Sequence, residues 1–107
     1  MAEQGRFSWH ADPVTWANFL AYHQANPQIY DKLRDFALEA KAAGRERLGI
    51  AVIFERLRWY TAVEARQDGE PWKVNNSWRA FYARLLMEQE PELDGFFETR
   101  RSHADVA

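Results

Sequence analysis

The 107-residue sequence has no cysteine, only four prolines, five glycines and three histidines. Without cysteine there can be no disulfide, thiolate nucleophile, zinc finger or cysteine-held iron–sulfur cluster, so packing alone must hold the fold, as suits a reducing compartment. His10, His23 and His103 fall in separate segments and never form an i, i+4 pair, which leaves metal ligation without support. No run approaches the about 20 apolar residues of a membrane span. The start of the chain, with Glu3, Gln4 and Arg6, lacks the apolar centre of a signal peptide. The expectation is one cytoplasmic domain over 1–107, frayed near residues 1–8 and 102–107.

Aromatic residues are abundant: five Trp, four Tyr and seven Phe. Charge is balanced overall at −2 but unevenly distributed. Residues 1–40 carry three basic and five acidic side chains, residues 41–87 nine and five, and residues 88–107 two and six. A basic middle between acidic ends is compatible with a nucleic-acid surface or an acidic protein partner. Solvated helix faces are the plain alternative.

Proline, glycine and asparagine divide the chain into helix-length segments. Asp12-Pro13 predicts a helix to about Gln24 with Trp16, Phe19, Leu20 and His23 on one side. Asn26-Pro27 opens a second, carrying Ile29, Leu33, Phe36, Ala37 and Ala40 inward and ending at Gly44. A third runs from about Gly49 to Ala65, with Ile50, Ile53, Phe54, Leu57 and Thr61 as its inner stripe. The Asp68–Pro71 run predicts a loop with, at most, a two-stranded flap around 66–74. Asn75 is the expected cap of a fourth helix that faces Trp78, Phe81, Tyr82, Leu85, Leu86 and Gln89 to the core, and a last turn returns Leu93, Phe96 and Phe97. The fold class is therefore a mainly α bundle of four helices plus a C-terminal turn, a helix-turn-helix-like variant.

No nucleophile stands beside a base in a glycine-flanked elbow, no phosphate loop is present, and Asp68, Glu70 and Lys73 depart from the spacing of a metal nuclease. The expectation is no enzyme, no cofactor and no metal. Two binding readings remain. In the first, Asn75, Asn76, Ser77 and Arg79 at a helix start, with Arg84 further along, read duplex DNA while Arg45, Arg47, Arg56 and Arg58 hold phosphates. The second is a protein interface built on aromatics that cannot all reach one core, with Trp59, Tyr60 and Trp72 foremost, which allows a homodimer.

The stretch from Asn26 to Arg101 resembles a group of small bacteriophage- and prophage-encoded helical proteins to which no activity is assigned. The resemblance rests on Asn26-Pro27-x-x-Tyr30, Phe54-Glu55-Arg56-Leu57-Arg58-Trp59, Asn75-Asn76, Ala83-Arg84-Leu85-Leu86, Glu90-Pro91 and Gly95-Phe96-Phe97-Glu98-x-Arg100. It implies a mobile-element setting in a bacterial host cytoplasm, and proteins of this kind and size commonly bind DNA or a host or phage protein. A phage-type DNA-binding module is the leading expectation. An inhibitor of a host protein, or an assembly component, is the alternative.

Overall fold

The computed structural model describes residues 13–65 and 72–98, which form four α-helices and one short parallel ladder. The expected frayed ends and most of the expected flap lie outside these residues. Within 66–74, Trp72 to Val74 has no regular structure, and the ladder lies elsewhere.

Helix α1, Trp16–Ala25, starts three residues later than Pro13 would place it, because Thr15 is the cap: its hydroxyl accepts the Asn18 amide at 3.2 Å. Asp12 lies outside the described residues. At the other end, the Asn26 amide donates to His23 O at 3.1 Å, its carboxamide donates to Tyr22 O at 2.9 Å, and Pro27 begins α2, Pro27–Ala42, with no intervening loop. Gly44, at φ 106°, then turns the chain away in a conformation other residues rarely adopt.

After the two-residue strand β1, Leu48–Gly49, comes α3, Ile50–Trp59, which continues as a π-helical turn over Tyr60–Glu64. The Ala65 amide donates to Tyr60 O at 2.8 Å, the i, i+5 bond of that turn. The inner stripe follows the apolar period: Ile53, Phe54, Leu57 and Thr61 are buried and Ile50 is half-buried. Asn75 caps a 3₁₀ turn, Asn76–Trp78, by accepting the Ser77 amide at 2.8 Å, and α4, Arg79–Gln89, follows directly. A second 3₁₀ turn, Pro91–Leu93, leads to β2, Phe97–Glu98, which pairs in parallel with β1. The ladder therefore joins the start of α3 to the end of the described chain.

Helix α4 is the centre of the bundle. Phe81, Tyr82, Ala83, Leu85 and Leu86 are all buried, and only Glu88 and Gln89 are exposed. Gln89 thus faces out, not toward the core as its place in the stripe predicts. Rings from two other helices close on this one: from α1, Phe19 stands edge-on to Tyr82 at 4.8 Å and Trp16 edge-on to Phe81 at 4.9 Å, and from α3, Phe54 edge-on to Tyr82 at 6.0 Å. Leu20, expected inside, is 39% exposed, because α1 presents only a narrow face through Phe19. Among the described residues no helix is long and apolar enough to cross a membrane.

Leu33, Phe54 and Leu85 are buried in this core. Truncation of each to alanine should destabilise the fold by about 2 to 5 kcal/mol, whereas Val52→Ala, on the outer side of α3, should change it by less than about 0.5 kcal/mol. Denaturant unfolding followed by tryptophan fluorescence measures both.

Candidate interaction surface

The inner stripe of α3 fixes what its opposite side carries. Opposite Ile53, Leu57 and Thr61 lie Val52, Glu55, Trp59 and Val63, which fall on one outward line at the helical period. Val52 is 54% exposed, Trp59 58% and Val63 43%. An exposed Trp between two exposed valines is a surface that a folded monomer gains nothing by presenting. Of the three aromatics expected at an interface, only Trp59 faces solvent. Tyr60 is half-buried, 5.7 Å from the Phe36 ring and 5.7 Å from the Trp72 ring, with the Lys32 ammonium 4.5 Å above it. Trp72 is half-buried against the core. Val52 and Val63 were legible as the positions seven before and four after Trp59, but single exposed valines carry no signal until the inner stripe is known.

Charges flank this line in pairs. On one flank, Arg56 pairs with Glu64 at 3.3 Å and stacks its guanidinium 4.2 Å from the Phe36 ring. On the other, Arg58 pairs with Glu55 at 2.6 Å and reaches across to Asn76 Oδ1 and to Val74 O at 3.4 Å, tying α3 to the segment before α4. The π turn makes the first pair possible. Eight residues of regular α-helix separate two side chains by about 80° around the axis, whereas the wider turn brings Glu64 round over Arg56.

The residues expected to read duplex DNA are distributed differently. Asn75 and Ser77 are exposed, but the Asn75 carboxamide caps the Ser77 amide, and the exposed Asn76 accepts from Arg58. Arg79 and Arg84 are half-buried on α4, and Arg84 donates to Ala80 O at 3.2 Å. Arg56 and Arg58 turn to opposite flanks of α3, toward α2 and toward Asn76. Arg45 and Arg47 are exposed in the turn before β1. Here the fold sets the basic segment beside the acidic one: Lys41 Nζ donates to Glu92 O, and Leu48 pairs with Phe97 next to Glu98.

A second group of polar atoms lies inside. His23 stacks on Phe19 at 6.0 Å and 7°, with the Tyr30 ring 5.1 Å and the Tyr82 ring 6.2 Å away. Its Nδ1 and the Tyr82 hydroxyl are buried without a hydrogen-bond partner among the described residues. Burial holds the His23 imidazole below its ordinary pKa, opposed in part by the Asp31 carboxylate. Burial also pushes the Tyr82 phenol up, helped by Tyr22. The Tyr30 phenol is raised by burial first and then by Glu90, to which it donates at 2.9 Å. A neutral imidazole among neutral phenols offers packing and no activated nucleophile. Among the described residues no three of His, Cys, Asp and Glu gather to hold a metal ion.

No family model, curated protein or solved structure matches this chain.

Because the folded state holds His23 below its unfolded pKa, the unfolded chain binds more protons between the two values. Stability should therefore be full above the ordinary imidazole range of about 6.5 and decline as pH falls through it toward the lowered value. Unfolding midpoints in urea between pH 8 and pH 5 should show this slope, and His23→Phe should flatten it. Tyr82→Phe, which removes a buried hydroxyl without a partner, should leave stability unchanged or raise it by about 1 kcal/mol.

Proposed function

We propose that the protein is a protein-interaction module that docks through the outer face of α3 and its π turn. The observation that carries this reading is the exposed line Val52, Trp59 and Val63, whose flanking charges are already neutralised within the chain. A docking protein meets apolar area with a Trp anchor near its centre and has no unpaired charge to compensate, which is the composition of an interface core.

Duplex binding draws less support from the geometry. A recognition helix inserts the side chains of its first turns into the major groove, whereas the first turn of α4 buries Phe81 and Tyr82 and leaves Arg79 and Ala80 half-buried. Arginines that neutralise the phosphates of one duplex act together when they share a surface. Here Arg56 and Arg58 are paired with Glu64 and Glu55 on opposite flanks of α3.

A photoreactive benzophenone side chain at position 52 or 63 tests the proposal in cells that make the protein. Irradiation should give a discrete protein adduct from both positions, above the yield from the exposed positions Gln24 and Asp35, and Trp59→Ala should reduce it at least about tenfold, the loss expected of a central Trp anchor. Adducts with nucleic acid, or no excess over the control positions, would overturn the reading.

A further inference from the structure

The π turn that continues α3 carries an acid at a place where a regular helix would face it toward the core. We infer that Glu64 is a register lock: the cost of burying its carboxylate selects the π turn, and the π turn sets Val63 on the outward line. The register does not depend on what docks there, while its effect on docking rests on the reading above.

Helical phase decides where each residue of this stretch points. Along a regular α-helix, Glu64 is eleven residues beyond Ile53 and seven beyond Leu57, which sets it about 20° from each around the axis, in the middle of the inner stripe. Ile53 and Leu57 are both buried. A carboxylate turned that way leaves water for a place between two aliphatic side chains, at a cost that only a close cation or several hydrogen bonds would offset. Ala65 has the opposite need. In the same regular helix it would stand about 120° from Ile53, off the stripe and away from the core.

The π turn meets both demands. One additional residue within the turn holds back everything beyond it by about 100°. Ala65 thereby comes into line with Ile53 and is buried, and Glu64 swings out to Arg56, 3.3 Å away. Val63 comes to the side opposite Ile53, where it is exposed. A buried Ala65 beside an exposed Glu64 fits the shifted phase and contradicts the regular one.

Two other contacts of the turn do not select it. The Thr61 hydroxyl donates to Arg58 O at 3.2 Å, three residues back, but Thr61 lies before the shift and can make that bond in a regular helix as well. The Arg56–Glu64 pair, at 3.3 to 3.4 Å between two partly exposed side chains, adds little by itself and follows from the register.

Thiol labelling of single cysteines reads the register directly, because the chain has none of its own. In an otherwise unaltered chain, a cysteine at position 63 should react at least about tenfold faster than one at position 65. Glu64→Leu offers the core a side chain it accepts, so the turn should close as regular helix and the ratio should fall to about one or below. Glu64→Ala, which burdens neither direction, should move the ratio the same way. Glu64→Gln removes the ion pair but keeps a polar group unsuited to the core, and should retain the ratio of the parent. A parent-like ratio in both Glu64→Leu and Glu64→Ala, or a ratio lost as fully in Glu64→Gln, would overturn the lock. In cells, Glu64→Leu should lower the photo-adduct yield from position 63 at least about fivefold relative to that from position 52, as the anchor at one end of the line turns away. If the labelling ratio shifts while neither position gives adducts even in the parent, the lock stands and the docking reading falls.

Discussion

The packing of large rings around α4 is the constraint on which everything else in this protein depends. A chain of this length without disulfides must bury a high fraction of its apolar surface, and aromatic side chains bury the most area for each residue ordered. Phe19, Trp16, Phe54 and Trp78 therefore converge on Phe81 and Tyr82 from three sides, and α4 is used up as the mast of the bundle. A helix in that position has little surface left to offer a ligand. The helices that lie around it, α1, α2 and α3, each keep one face for the core and one for solvent.

The same packing explains which parts of the fold could be read from the sequence. Stripes of apolar residues at spacings of three and four located the inner faces of α2 and α3 almost residue by residue, because a buried face leaves that periodic mark whatever surrounds it. Asn26-Pro27, Gly44 and Asn75 marked their boundaries through local backbone chemistry. Thr15 carries no signal stronger than Asp12-Pro13 in the sequence, and only its hydroxyl's bond to the Asn18 amide marks it as the cap. Gln89 was misplaced for a related reason: the helical period runs on past the point where the core ends. The candidate surface was less legible. Trp59 stood out as one of two adjacent aromatics that cannot both face inward, yet Tyr60 and Trp72 turned out to fill the side of the bundle near Phe36, a contact between residues far apart in sequence.

Charge shows a third kind of limit. The basic middle and acidic end of the chain are separate only along the sequence. Parallel pairing of β1 with β2, together with the Lys41 contact to Glu92 O, folds one back on the other. The arginines of α3 are likewise occupied, Arg56 by Phe36 and Glu64, and Arg58 by Glu55 and the segment before α4. A charge excess along the chain becomes a binding field only if folding leaves it unpaired and on one side. Here much of it serves to join segments, and the neutral outer face of α3 is the result.

The π turn at Tyr60–Glu64 gives the helix one more residue than an α-helical turn would need to reach the same direction. Its effect is rotational: Thr61 stays inside, and Val63 and Glu64 come out over Trp59 and Arg56. A chain lacking Ala62 could close an ordinary α turn across the same stretch and still present Val63 and Glu64 outward. Chain length at this point is therefore free to vary by one residue while the surface stays in phase, and a relative one residue shorter there would carry the same face on a straighter rod.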